Sequence, residues 1–289
     1  MKEQVLATDD GGRLALYTYG AENAPGTRRV VVIGGAFLTA LIYRPFAIAL
    51  AKGLGEGWAV DVYDRRGRGD SSDQPADYSM DTEIADLRLV MDTTGARNIL
   101  GHSLGGSVAL NAAQAFAGTA HQPDTLVVYD AAVNIDGSMD TSWLPGFEKD
   151  VNAGRPAHAM AKLRKGMQPS STLSRVPEPI LAGLMAMVSR TRVNRLLRTL
   201  LPSGVGELKA AFKEVDDVAT FAVLPRRTHF MVGGKSPEYY QETARRLHAA
   251  VPGSTFKVSP EQFHGSIPAA VSELVSDISA FFTATTNEN

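Results

Sequence analysis

Residues 98–106 read Asn98-Ile99-Leu100-Gly101-His102-Ser103-Leu104-Gly105-Gly106. Ile99 and Leu100 end a short apolar stretch suited to a buried strand. After Ser103, Val108, Ala109, Ala112, Ala113 and Phe116 recur at helical spacing. A strand that turns directly into a helix crowds the residue at the turn. Glycines two positions either side, here Gly101 and Gly105 in a G-x-S-x-G pattern, relieve that crowding. The turn residue then holds its side chain exposed, and the helix N-terminus aims free N–H groups at whatever reacts there. An ordinary serine in a glycine-rich turn has the same five residues. The strand before and the helix after mark Ser103 as a candidate nucleophile.

The same alternation repeats on both sides. Residues 4–7 and 13–19 read as strands joined by Asp9-Asp10-Gly11-Gly12. Arg29–Ile33 is β-branched and apolar, as a strand buried on both faces should be, and leads into Gly34-Gly35-Ala36-Phe37. Residues 43–54 have helical spacing. Residues 58–63 form another buried strand, followed by Asp64-Arg65-Arg66-Gly67-Arg68-Gly69-Asp70-Ser71. The charges of that loop alternate in sign, which predicts an internally paired turn and argues against a phosphate or nucleic-acid patch. Residues 81–93 read as an amphipathic helix and Thr125–Tyr129 as a strand ending at Asp130.

From residue 133 to residue 223 the strand pattern stops. Helical segments at 146–153, 157–167, 180–201 and 206–212 are separated by prolines. This is too long for a loop and predicts a helical insertion. A strand at 228–232 resumes the alternation. Ser236 as N-cap and Pro237 at the first helical position open a helix to Val251. A strand at 255–258 and a helix at 267–282 complete the chain. Eight strands alternating with helices predict an α/β fold: a mostly parallel sheet flanked by helices, with residues 1–132 and 224–289 as core and 133–223 inserted after strand 6. In such sheets ligands bind outside the carboxyl ends of the strands.

The bulk composition restricts the function. Among 289 residues, 44% are hydrophobic and 21% charged, enough apolar surface for a sizeable core. A net charge of −2 gives no electrostatic case for nucleic acid or an anionic membrane. The absence of cysteine excludes disulfides, thiolate chemistry and cysteine-ligated metals. No apolar run reaches the length of a membrane span, and the N-terminus lacks the apolar segment of a signal peptide. A cytoplasmic protein that takes a small, apolar molecule is the expectation. Neither metal nor organic cofactor is implied.

A serine hydroxyl needs a base, and the base needs a group to fix its tautomer. Of six histidines, only His264 follows a strand and precedes a helix, in Phe263-His264-Gly265-Ser266. His229 lies inside a strand, where a packed imidazole is expected, and His102 inside the elbow points away from Ser103. The acid is less sharply defined. Asp130 stands at the end of an apolar strand, where a charge needs a partner. Glu238, in a first helical turn, and Asp124 are the other candidates. For a developing oxyanion, the N–H of Leu104 follows from the elbow, and that of Ala36, or alternatively Phe37, from the loop after the third strand. Gly35, Phe37 and His102 are expected to border the substrate. Met160, Met167, Met185 and Met187, with Leu181 and Leu184, read as core of the insertion, some of them available to line an apolar pocket.

Gly-His-Ser-Leu-Gly-Gly, the Asp-Arg-Arg-Gly-Arg-Gly-Asp-Ser loop, the late His-Gly and the helical stretch after strand 6 together resemble the α/β-hydrolase fold over residues 5–282. The resemblance implies a serine hydrolase with a helical cap and a triad in the order serine, acid, histidine. The commonest acid position, after strand 7, holds Ser236; some relatives carry the acid after strand 6, which matches Asp130. The family's His-Gly after strand 3 is Gly34-Gly35 here. Serine at the elbow argues against dehalogenase or epoxide-hydrolase chemistry, for which this fold uses aspartate. A carboxylic ester or related acyl substrate is the leading expectation. The alternatives are a specialised lactone, thioester or carbon–carbon substrate, a non-hydrolytic biosynthetic step, or a non-catalytic small-molecule binder.

Overall fold

The apolar five-residue runs form the centre of one sheet. β3 (Arg29–Ile33), β4 (Ala59–Tyr63), β5 (Asn98–His102) and β6 (Thr125–Tyr129) are buried at every position, as strands covered on both faces must be. β7 (Thr228–Gly233) is equally buried, and β8 (Thr255–Ser259) forms one edge. β1 (Lys2–Ala7) and β2 (Arg13–Gly20) make an antiparallel hairpin at the other. The computed structural model describes residues 1–169, 171–188, 192–212 and 216–284. Its sheet runs β1-β2-β4-β3-β5-β6-β7-β8. β2 joins β4 antiparallel, and every pairing from β4 to β8 is parallel.

Alternate strand residues feed two hydrophobic layers. Val30, Val32, Val60 and Leu100 meet α1 (Arg44–Leu54) and α9 (Ser272–Thr283). Val31, Ile33, Ile99 and Val128 meet α2 (Met80–Thr94), α3 (Leu104–Ala115) and α8 (Glu238–Ala250). The last helix starts later than residue 267. Ala270 has a positive φ of 55°, which breaks the helical path, and Ile267 is buried against the α1/α9 layer instead.

Between β6 and β7 lie α4 (Leu144–Asn152), α5 (Pro156–Met167), α6 (Glu178–Val188) and α7 (Arg192–Phe212). The expected single helix over 180–201 is divided between α6 and α7; residues 189–191 lie outside the described residues. The expected segment at 206–212 is the end of α7, which continues through Pro202. An interior proline costs about 3 kcal/mol. Leu200, Leu201, Val205, Leu208, Ala211 and Phe212 are buried on both sides of it. At about 1.5–3 kcal/mol for each large side chain, that burial outweighs the proline. No helix among the described residues is long and apolar enough to cross a membrane.

The arginines of the loop after β4 pair outward, not within the loop as expected. Arg65 contacts Glu83 of α2 (3.4 Å) and Glu207 of α7 (3.2 Å). Arg66 contacts Asp86 (2.9 Å) and Asp10 (2.7 Å), and Arg68 pairs with Glu207. All three guanidinium groups are buried. Arginine stems are long enough to reach carboxylates on neighbouring helices, so the loop ties the sheet to α2 and α7.

Candidate active site

Ser103 sits between β5 and α3 with φ 56° and ψ −125°. A non-glycine residue at positive φ costs about 1–3 kcal/mol and persists only where its surroundings hold it. β6 and the residues just after it do so here: Ser103 N–H donates to the Tyr129 carbonyl (3.0 Å), and the Ser103 carbonyl accepts from Ala132 N–H (3.0 Å). Gly105 supplies the space, since a Cβ there falls 2.2 Å from the Ile33 carbonyl oxygen.

His264 and Asp130 come to this serine from the ends of other strands. Ser103 Oγ lies 3.0 Å from His264 Nε2, and His264 Nδ1 lies 3.0 Å from Asp130 Oδ2. A carboxylate only accepts, so Nδ1 carries the proton and Nε2 is free to accept from the serine. Asp130 is fully buried and also takes a left-handed backbone, φ 46°. Its Oδ1 accepts from Gly233 N–H (3.0 Å) and its Oδ2 from Ser236 Oγ–H (2.6 Å). Ser236 therefore does not cap α8, whose N-cap is Pro237 without a side-chain bond. Of the other acid candidates, Asp124 pairs with exposed Arg97 (2.8 Å). Glu238 stands in the first turn of α8, without a hydrogen bond to His264 among the described residues. Tyr240 stacks on the His264 ring at 4.7 Å and 17°.

The loop after β3 is held from two sides. Gly35 N–H donates to Tyr43 Oη (2.7 Å), while Arg68 donates to the carbonyls of Gly35 (2.8 Å) and Leu38 (2.7 Å). Gly35 approaches the serine so closely that a Cβ there meets Ser103 Cβ at 2.9 Å. Phe37 has φ 59°. Among the described residues, no protein acceptor meets the N–H of Leu104, Ala36 or Phe37.

His102 borders the cavity, with both its ring nitrogens engaged. Nε2 faces the His264 carbonyl (2.8 Å), which only accepts, so Nε2 carries the proton. Nδ1 then accepts from Tyr43 Oη–H (2.6 Å). Burial, reinforced by neighbouring His264, pushes the His102 pKa down to about 3 and keeps the ring neutral. The resulting chain of bonds, Gly35 to Tyr43 to His102 to the His264 carbonyl, connects two site loops behind the serine. Sequence reasoning gave Ser236 a helix-capping role, and it did not single out Tyr43, Gly233, Tyr240 or Arg68 for the site.

A cavity of about 580 Å³ opens over Ser103 and His264. Leu38, Met160, Leu163, Met185, Leu208 and Phe212 give it mostly apolar walls. Met167 also lines it, whereas Met187 and Leu184 are exposed and Leu181 is buried. Helices α5, α6 and α7 thus supply much of the wall opposite the strand ends. Among the described residues, no group of three or more His, Asp or Glu side chains is arranged to hold a metal ion.

Comparison with solved structures places this architecture among known ones. An alpha/beta hydrolase from Sphaerobacter thermophilus DSM 20745 superposes with a TM-score of 0.74 at 26% identity, over 97% of this chain and 100% of the other. The enol-lactonase from Burkholderia xenovorans LB400 gives 0.71 at 19%, over 97% and 100%. The esterase EaEST from Exiguobacterium antarcticum gives 0.69 at 18%, over 98% and 100%. At the latter two identities the likeness is one of fold alone. No curated protein matches the chain. The model of the alpha/beta hydrolase family matches residues 30–265, a span that takes in the loop after β3, the serine elbow, Asp130 and His264. The chain belongs to that family.

Proposed function

We propose that the chain is a serine hydrolase of carboxylic esters or related acyl compounds. The observation that carries this reading is the hydrogen-bonded line Ser103–His264–Asp130, whose serine and histidine border an apolar cavity. Ser103 Oγ attacks the acyl carbon while His264 Nε2 takes its proton. Asp130 fixes the Nδ1–H tautomer and stabilises the imidazolium. Gly233 N–H and Ser236 Oγ–H hold that carboxylate in place. Leu104 and Ala36 N–H groups receive the oxyanion, with Arg68 and Tyr43 holding the loop that carries Ala36. His264 returns its proton to the leaving group, and water activated by the same nitrogen releases the acyl group. Residues 133–223 act as a cap that closes the cavity over the acyl chain. A triad with an apolar pocket fits esters and lactones alike, and solved relatives of this fold include proteins named esterase, lipase and enol-lactonase.

The test is chemical. A fluorophosphonate probe is expected to label Ser103 in the wild-type protein and leave the Ser103→Ala variant unlabelled. Turnover of p-nitrophenyl esters should fall by about 10⁵–10⁶-fold in that variant. Full labelling of the alanine variant, or unchanged turnover, overturns the proposal.

A further inference from the structure

One face of α5 carries Met160, Leu163, Arg164 and Met167, at the spacing of successive helical turns, and all four, with Gln168 just past the helix end, border the cavity above Ser103. Among the described residues around that cavity, Arg164 is the one lysine, arginine, aspartate or glutamate. Its basic neighbours on α5 have partners. Lys162 bridges Asp150 (2.7 Å) and Glu178, and Lys165 donates to the Val176 carbonyl (2.9 Å). The Arg164 guanidinium makes no ion pair or hydrogen bond among the described residues, and its Nε is shielded from solvent without an acceptor.

A guanidinium stays charged at any working pH and offers only donors. A shielded N–H without an acceptor is costly, and methionine and leucine walls give nothing back. No carboxylate side chain borders the cavity to neutralise the charge. Its field therefore favours an anionic ligand. The planar fork of arginine matches the two oxygens of a carboxylate. One guanidinium balances one negative charge, so a carboxylate fits better than a phosphate dianion.

We propose that Arg164 seats a carboxylate on the substrate, remote from the bond that is cleaved. The substrate class is then an ester or related acyl compound carrying a free carboxylate, its apolar chain lying along Met160, Leu163 and Met167. This rests on the hydrolase function proposed above, with the acyl carbon at Ser103.

Binding to the Ser103→Ala protein separates recognition from turnover. The ligands are monomethyl and dimethyl esters of straight-chain dicarboxylic acids, about four to twelve carbons long, titrated by calorimetry. At the best-fitting length the charged monomethyl ester should bind at least tenfold tighter than the neutral dimethyl ester. Adding Arg164→Met should bring that ratio close to one, and Arg164→Lys should restore part of it. Equal affinities at every length, a ratio that survives Arg164→Met, or no saturable binding of any member overturns the assignment. A monoalkyl phosphate that binds more tightly than the matched carboxylate also overturns it. Failure of the hydrolase function reads out separately, as absence of fluorophosphonate labelling on Ser103 in the wild-type protein.

Discussion

At the residue scale, three of the five non-glycine residues with positive φ among the described residues are Phe37, Ser103 and Asp130, all at the candidate site. Backbone strain concentrated there is consistent with groups held for chemistry and not for packing. Asp130→Asn is expected to lower kcat/KM by about 10⁴-fold, because the amide no longer fixes the His264 tautomer. Glu238→Gln should stay within about twofold; the reverse pattern sinks the assignment of Asp130. Ser236→Ala removes a hydrogen bond to a buried carboxylate, worth about 1.5–3 kcal/mol, and should cost about one to two orders of magnitude in kcat/KM. Ser103 and Asp130 were legible because each directly follows a buried apolar strand, where a polar group has few local reasons to exist, and His264 because it alone of the histidines lies in a loop leading from a strand to a helix. Ser236 was misread because Ser-Pro has a sufficient local explanation as a helix start. Its actual partner is 106 residues away, and no local pattern records that.

At the element scale, Glu207 joins α7 to the loop after β4. Arg65 and Arg68 both depend on it, and all three side chains are buried. Glu207→Gln leaves two guanidinium groups undercompensated. Removing one partner from a buried ion pair costs about 3–5 kcal/mol, to be read from urea midpoints at neutral pH. Ester turnover should fall with it, because Arg68 also holds the Gly35 and Leu38 carbonyls. A variant that keeps wild-type stability and turnover shows that the network is dispensable. The strands were readable from the sequence since buried parallel strands are continuous β-branched runs. The helices between β6 and β7 were readable as helices but not in their joints. Pro202 looked like a break because sequence displays the lost N–H and conceals the buried side chains around it.

At the scale of the whole molecule, buried histidines couple folding to acid. Burial lowers the pKa of His102 to about 3 and that of His229 to about 4. In the unfolded chain both titrate near about 6.5. Below that pH and above the folded values, the unfolded chain binds protons that the native one refuses. Stability contributed by each ring is thus complete above pH 6.5 and declines by about 1.4 kcal/mol per pH unit as acid is added. Asp86 acts in the opposite sense: burial raises its pKa to about 6, so the native state takes its proton first on the way down. His229→Gln, which can keep a bond to Thr255, should flatten the wild-type slope between pH 6.5 and 4 by about 1.4 kcal/mol per unit. Urea midpoints at four pH values measure this; parallel slopes refute it.

The segment between β6 and β7 leaves and re-enters the core through a narrow neck. Asp216 N–H donates to the Asn134 carbonyl (3.0 Å), and Asp136 N–H donates to the Asp216 carbonyl (3.0 Å), pairing Ile135 with Asp216 across the opening. The two ends of the segment are thereby stitched together immediately beyond Asp130. Such a junction is a natural crossover point for recombination. A chimera exchanging residues between Ile135 and Asp216 with those of a relative keeps every strand, the serine elbow and His264 from one parent. It takes the cavity-lining helices from the other, so under the hydrolase function proposed above the chimera should combine the substrate preference of one parent with the catalytic groups of the other.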